Sequence, residues 1–265
     1  MTVAADRSIV RQRHEIRVRV LDVVSVTDIT PLMRRVTLAG PALEGFVSLG
    51  YDDHVKVFFS PDPDAPVIPE AGSDGVRFPD GRKPEMRDYT PRNFDPERLT
   101  LDLDFVLHGD GPASSWAAQA RVGQKLVVAG PRGSAVVPLA FDWYLLAGDE
   151  TALPAISRRL VELPAGARAV AVIEVADEAE EQALTSPADL TLAWVHRDGA
   201  AAGTTRLIEE AIAGMDLPRG DAYAFIAGEA DMSRSLKAHL VDKRGFNPEW
   251  VKAAGYWRLG VADAH

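Results

Sequence analysis

Between positions 87 and 92 the chain reads Arg-Asp-Tyr-Thr-Pro-Arg, so that a planar ring and a short hydroxyl stand between two guanidinium groups. Tyr89 can pack on a flat partner, and Thr90 offers a hydroxyl beside it. Arg87 and Arg92 sit five apart on an extended segment and so point to opposite faces. One can then meet an anionic group while the other meets a carboxylate or a ring edge. The plain alternative is a strand with two solvated arginines. A second concentration lies at two matching strand ends, Ala147-Gly148-Asp149-Glu150 and Ala227-Gly228-Glu229-Ala230. Glycine lets a ligand approach the backbone closely, and the helix start that follows favours a phosphate. Two ordinary strand-to-helix turns would look the same, and neither is a Gly-x-Gly-x-x-Gly fingerprint. Asp149 and Glu150 have the types for general acid–base work. His108 could serve as a base, although no other histidine stands at a His-x-His or His-x-x-x-His spacing from it. The chain has no cysteine, which excludes disulfides, cysteine zinc sites, iron–sulfur clusters and thiolate haem. Any electrons it moves must travel on an organic cofactor.

The elements that must hold these residues follow two grammars. In the first half Ile16, Val18 and Val20 alternate with arginines, and Leu99, Leu101, Leu103 and Phe105 alternate with Thr100, Asp102 and Asp104. Period two predicts half-buried strands, with Met33 to Leu38, His54 to Phe59 and Gln124 to Ala129 as further candidates. Several short strands divided by Gly and Pro predict a small antiparallel barrel, interrupted by a helix over Pro112 to Arg121 with proline in its first turn. Ser60 to Glu85, with six prolines and three glycines, reads as a long functional loop. After residue 140 strands alternate with helices. Trp143 to Ala147, Ala169 to Val175, Leu190 to Val195 and Ala222 to Ala227 read as strands. Ala152 to Leu163, Thr204 to Gly214 and Asp231 to Lys243 read as helices. That alternation predicts a parallel sheet with helices on both faces, whose ligands bind beyond the carboxyl ends of the strands. The boundary between the halves falls near Val137 to Asp142.

Length and charge narrow the partners. The 265 residues suffice for two domains, and 46% apolar with 26% charged residues is a normal globular balance. Asp plus Glu outnumber Lys plus Arg by 39 to 29, for a formal charge of −10. Such acidity argues against non-specific nucleic-acid or anionic-membrane binding and leaves room for a local basic pocket. The longest stretch free of charged residues, Gly111 to Ala120, is far short of the roughly 20 a membrane-spanning helix needs. No signal-peptide pattern is present. The expectation is a cytoplasmic monomer.

Seven motifs then occur in a recognisable order. They are His54-Val55-Lys56, the 87–92 hexapeptide, Asp104-Phe105-Val106-Leu107-His108-Gly109, Gly111-Pro112-Ala113-Ser114-Ser115-Trp116-Ala117, Gly148-Asp149-Glu150-Thr151-Ala152-Leu153-Pro154, Ala227-Gly228-Glu229-Ala230 and Gly255-Tyr256-Trp257-Arg258-Leu259-Gly260. The set resembles the siderophore-interacting protein family, FAD-dependent ferric-siderophore reductases of the ferredoxin-reductase type, from Arg17 to Gly260. The resemblance implies a β + α/β protein. An N-terminal antiparallel FAD-binding β-barrel (1–140) is followed by a C-terminal parallel-sheet nicotinamide-nucleotide-binding domain (141–265).

For FAD the resemblance implies Arg87, Tyr89, Thr90, Arg92, Asp104, Val106 and His108, with Gly111, Ala113, Ser114, Ser115 and Trp116 as a pyrophosphate cradle. Trp116 can stack on adenine or belong to the core. For the nucleotide it implies Asp149, Glu150, Thr151, Ala152, Gly228, Glu229, Arg234 and Trp257. Carboxylates repel phosphate, so Asp149 and Glu150 should address ribose or amide groups. Trp257 can cover the ring where nicotinamide enters, or pack in the core. Arg234 suits a 2′-phosphate, whereas Glu174 and Asp177 suit ribose hydroxyls, so NADPH and NADH both stay open as donors. For a ferric siderophore it implies the cations Lys56, Arg132 and Arg258. No protein metal site and no catalytic side chain are expected, because hydride transfer from a dihydronicotinamide needs no protein acid or base. The reading is NAD(P)H-dependent, FAD-mediated ferric-siderophore reduction. The alternatives are a flavin-containing siderophore carrier without turnover and a related reductase with another acceptor.

Overall fold

A computed structural model describes residues 6–60, 62, 65–72, 75–78, 81, 83–109 and 111–261. It divides into two units, Ile9–Val137 and a second formed by Pro138–His265 with Met1–Ser8. Arg7 explains why the first residues side with the second unit. Its guanidinium lies over the rings of Phe141 and Trp250 and bonds the Ala140 carbonyl, Asp221 and Asp142.

The first unit contains β1 (Val10–Arg13), β2 (Val18–Thr30), β3 (Met33–Ala39), β4 (Val55–Phe59), β5 (Glu70–Gly72), β6 (Gly75–Arg77), β7 (Glu85–Tyr89), β8 (Asn93–Asp95), β9 (Thr100–Val106), helix α1 (Pro112–Gln119), β10 (Lys125–Ala129) and β11 (Gly133–Val136). Seven strands form one antiparallel sheet in the order β7-β4-β10-β2-β3-β9-β8, and β1 pairs separately with β11. The period-two pattern explains the core. Leu21, Val23, Val36, Leu38, Val55, Val57, Leu101, Leu103, Leu126 and Val128 turn to one face, against Ala113 and Ala117 of α1. β7 and β8 are the two edges of this sheet, yet only Thr90, Pro91 and Arg92 separate them in the chain. A span that short reaches only about 10 Å, so the sheet must curl until its edges nearly meet. The expected barrel is therefore a half-barrel: curled and antiparallel, with its edges unpaired. One expectation needs correction. The 60–85 segment is not wholly a loop, because Glu70–Gly72 and Gly75–Arg77 pair as a hairpin. The strands β1, β8 and β11 went unpredicted, being short or lacking apolar alternation.

The second unit contains β12 (Trp143–Asp149), α2 (Leu153–Glu162), β13 (Arg168–Val175), β14 (Asp189–His196), α3 (Leu207–Gly214), β15 (Ala222–Glu229), α4 (Ala230–Arg244) and β16 (Val251–Trp257). Its five strands are all parallel, in the order β14-β13-β12-β15-β16. Trp143, Leu145 and Ala147 face α3 and α4 through Ile208, Ile212, Leu236 and Leu240. On the opposite face the guanidinium of Arg159 of α2 lies 4.9 Å from the Tyr144 ring centre. Helices thus cover both faces, which is why these strands read as continuous apolar runs. β16 was not predicted: its sequence, Val-Lys-Ala-Ala-Gly-Tyr-Trp, reads as an aromatic tail rather than a strand.

Candidate functional site

In the half-barrel the hexapeptide spans from one sheet edge to the other. Arg87 and Tyr89 lie on β7, while Arg92 lies beyond it and donates its backbone N–H to Asp102 of β9 at 2.9 Å. Arg87 and Arg92 thus flank the gap between the sheet's edges. Arg87 bonds the Met86 carbonyl and Glu85, and Arg92 approaches Asp104 to 4.0 Å. Asp104 is buried and takes a two-pronged contact from Arg35, its cross-strand neighbour, at 2.7 and 2.8 Å. Asp104 therefore fixes cations within the protein rather than standing free for a cofactor. Arg35, missed in the sequence reading, is the partner that does this.

Phe105 joins the two motifs that the sequence kept apart. Its ring centre lies 4.3 Å from that of Tyr89 and 5.5 Å from that of Trp116, and Phe59 contacts all three. Burial raises the Tyr89 phenol well above its ordinary pKa, so it stays protonated and serves as a ring with a neutral hydroxyl. Trp116 belongs to this cluster, the core half of its two expected roles. Thr90 is buried at the end of β7, and Val106 is half-buried at the end of β9. Beyond it Ser114 accepts the His108 backbone N–H at 2.8 Å, which ties the end of β9 to the start of α1. His108 itself is exposed. α1 begins after Gly111, with Pro112 at its first position and no side-chain cap. The amides of Ala113 and Ser114 precede the first intrahelical bond, Ser115 N–H to the Gly111 carbonyl. A methyl group at Gly109 or Gly111 would meet nothing within 4 Å among the described residues. The amides with the Ser114 and Ser115 hydroxyls form a donor set that fits a pyrophosphate, the Arg87 and Arg92 guanidinium groups on the same unit can add charge, and the Tyr89 ring suits a flat heterocycle. The residues present fit FAD.

Lys56 and Arg132 belong to the same unit. Lys56 of β4 faces Asp88 of β7 and pairs with it at 2.7 Å, so it is a neutralised rather than a free cation. Arg132 is exposed, and its carbonyl anchors the His14 N–H.

In the second unit the strand ends carry two networks. Asp149, 4% exposed, accepts four hydrogen bonds: Thr151 N–H and Oγ1 on one oxygen, Glu229 N–H and the Trp257 indole N–H on the other. Burial, and then the charge of Glu150, push its pKa up to about 6. Gly228 makes room for it, since a Cβ there would stand 2.5 Å from Asp149 Oδ2. Gly148 likewise has no space for a side chain, against the Ala227 carbonyl and Ala152. The second network centres on Arg197, just past β14. It grips both oxygens of Glu150 at 2.7 Å and reaches Glu174 at 3.4 Å, whose other oxygen takes the Thr205 hydroxyl at 2.5 Å.

These networks change several expected roles. Asp149 and Glu150 spend their oxygens inside the protein, so they shape the site rather than address ribose. Glu174 is committed in the same way, and Asp177 caps a short turn by accepting the Ala179 N–H. The N-terminus of α4 is no open phosphate seat, because Glu229 already accepts the Asp231 and Met232 N–H groups. Thr151 and Ala152 lead into α2, with Ala152 as its N-cap. Arg234 is 69% exposed and pairs with Asp231 at 2.6 Å, while Arg258 lies 3.8 Å from the same carboxylate. A cavity of about 550 Å³ includes Trp143 and Ala222, the first residues of β12 and β15. It therefore lies at the opposite strand ends, away from these groups.

Two family models together match most of the chain: "Siderophore-interacting FAD-binding domain" over residues 22–135 and "Siderophore-interacting protein" over 141–260. The NADPH-dependent ferric-chelate reductase of Escherichia coli is 38% identical, covering 93% of this chain and 95% of that protein. The ferric vibriobactin reductase of Vibrio cholerae is 32% identical, covering 91% and 90%. A crystal structure of a siderophore utilization protein from T. fusca superposes with a TM-score of 0.90 at 40% identity, covering 98% of this chain and 99% of that one.

Proposed function

The chain belongs to the siderophore-interacting protein family, and we propose that it is an NAD(P)H-dependent, FAD-containing reductase of ferric siderophores acting in the cytoplasm. The observation that carries this reading is the Tyr89–Phe105–Trp116 cluster, which sets the Arg-Tyr-Thr segment beside the open start of α1. Bound FAD would supply the step-down from a two-electron hydride donor to one-electron delivery. Tyr89 packs against its ring system, and the Thr90 hydroxyl addresses the polar ring edge. Arg87, Arg92, the Ala113 and Ser114 amides and the Ser114 and Ser115 hydroxyls hold the pyrophosphate. Asp104 keeps Arg92 in place through the same carboxylate that binds Arg35. Exposed Arg132 provides positive charge for an oxygen-rich ferric complex, with a smaller share from Lys56, whose charge Asp88 offsets.

The chemical logic is coordination. Hard anionic oxygens hold iron(III) far more tightly than iron(II), so adding one electron releases the metal without any protein ligand. For the donor we favour NADPH. Both carboxylates suited to a free ribose are held inside the protein, whereas Arg234 near the start of α4 pairs only at the surface, with the exposed Asp231 that a phosphate could displace. The E. coli relative carries NADPH dependence in its name. The test is anaerobic stopped-flow absorbance on the FAD-loaded protein. NADPH should bleach the flavin bands, and a ferric siderophore should restore them while forming iron(II). Bleaching reversed by a quinone but not by a ferric siderophore would assign another acceptor, and no bleaching would leave a carrier.

A further inference from the structure

Asp149 and Trp257 belong to two strands that do not pair: β15 stands between β12 and β16. Their side chains nevertheless meet, with the indole N–H 2.8 Å from Asp149 Oδ2. The backbone arranges this. Gly228 pairs with Gly255 and Glu229 with Trp257, so Tyr256 is the extra residue of a bulge at the end of β16. A bulge re-aims the side chain that follows it. The ring then lies against Gly203, in the segment between β14 and α3, where a Cβ would stand 2.7 Å from the indole. Gly203 has φ +73°, which suits glycine, and two residues on Thr205 fastens the segment to Glu174. Trp257 is thus held at its N–H and along the rim of its benzo ring, at the carboxyl ends of the strands, where parallel sheets bind ligands.

Asp149 is an unusual holder. Its partners among the described residues are all neutral donors: the Thr151 N–H and hydroxyl, the Glu229 N–H and the Trp257 indole. The charged groups around it do not compensate. Glu150 follows it just past the end of β12, Glu174 faces it from β13 and Glu229 from β15. Arg197 is taken up by Glu150 and Glu174, and Arg258, past β16, approaches Asp231. An ionised carboxylate accepts strongly at both oxygens, whereas the neutral acid accepts more weakly and carries an O–H that only the Thr151 hydroxyl can receive, so protonation weakens the hold on the indole N–H.

We propose that Asp149 is the positioning residue of Trp257: ionised, it holds the indole as a wall of the nucleotide crevice, and on taking up a proton it lets that wall go. The crevice part rests on the nucleotide-donor reading above; the proton-dependent grip does not. Burial and the Glu150 charge place the transition near pH 6.

The test is ¹⁵N-indole NMR of the FAD-loaded protein between pH 5 and 8, with the Trp257 signal assigned by its loss in Trp257→Phe. At pH 8 that signal should lie downfield, as for an N–H on a carboxylate, and it should move upfield with a midpoint near pH 6. Asp149→Asn should hold it upfield throughout. Thr151→Val removes a donor that favours the ionised form, so it should move the midpoint to higher pH, and it keeps the test decisive if Asp149→Asn fails to fold. A Trp257 signal that does not titrate, or titrates unchanged in both variants, overturns the proposal. NADP⁺ added at pH 8 should perturb the same signal. Binding of NADP⁺ without that perturbation removes the wall, whereas absence of any NADP⁺ binding removes the donor reading and leaves the grip standing.

Discussion

The guanidinium of Arg197 lies against the carboxylate of Glu150 with two N–H···O contacts of 2.7 Å, and both side chains are largely withdrawn from water. With Glu174 on its other side, Arg197 is the one cation among these three charges. Removing it would strand two buried carboxylates, and breaking a buried pair in this way costs about 3–5 kcal/mol. Arg197→Ala should therefore lower the urea midpoint of the C-terminal unit substantially. Arg197→Lys should recover only part of the loss, because an ammonium cannot reproduce the fork. Wild-type stability in Arg197→Ala would show that the network is idle.

FAD retention should depend on the hexapeptide. A hydrogen bond to a charged group is worth about 1.5–3 kcal/mol, so Arg87→Ala should weaken FAD binding roughly tenfold to a hundredfold. The ratio of flavin to protein absorbance after gel filtration at low protein concentration measures this. Equal ratios in variant and wild type would remove Arg87 from the pyrophosphate site.

The donor phosphate can be assigned kinetically. If Arg234 meets a 2′-phosphate, Arg234→Ala should raise KM for NADPH by about tenfold or more, a charge-assisted contact, and leave KM for NADH nearly unchanged. Matching changes for both donors would end that role.

Asp149 also carries a stability signature. Its pKa is raised from 3.8 to about 6, so the folded protein keeps a proton that the unfolded chain gives up in that window. Its contribution therefore falls as pH rises from about 4 to above 6, by about 3 kcal/mol in all. Unfolding free energies of wild type and Asp149→Asn, measured across that window, should diverge with this slope in favour of the variant. A constant difference would mean that Asp149 titrates alike in both states.

Positive charge near the substrate should appear as salt dependence. Lys56→Ala with Arg132→Ala should slow reduction of an anionic ferric siderophore more than of a neutral one, and added salt should mimic the variant. Asp88 already neutralises Lys56, so the larger share should come from Arg132. Siderophore kinetics unaffected by both changes would place the binding surface elsewhere.

How much of this was legible beforehand depended on the kind of signal. Alternation announced the central strands of the half-barrel, and unbroken apolar runs announced β12, β13 and β15, because burial on one face or two writes itself into residue order. β16 stayed hidden because Ala253, Ala254 and Gly255 carry little apolar weight. The motifs marked out the segments, but residue type alone could not say what each carboxylate bonds. Asp149, Glu150, Glu174 and Glu229 look like ligand-binding acids until their partners are known. Those partners, Arg197, Thr205 and Trp257, come from distant strand ends that only the folded sheet brings together. Arg197 had one faint signal, a cation directly after a strand; Gly203 had none.

The chain passes between the two units twice, after Ser8 and after Val137, and Val10 pairs with Val136 just inside those points. The half-barrel is thus an insertion: its ends lie side by side, and the unit around it is discontinuous in sequence. A gene truncated to begin at Pro138 would not encode a complete domain. It would lack Arg7, which lies against Phe141 and Trp250 and pairs with Asp142 and Asp221. Residues 9–137, by contrast, begin and end on two paired strands, so a short loop joining those ends is the natural design for a circular permutant of the half-barrel.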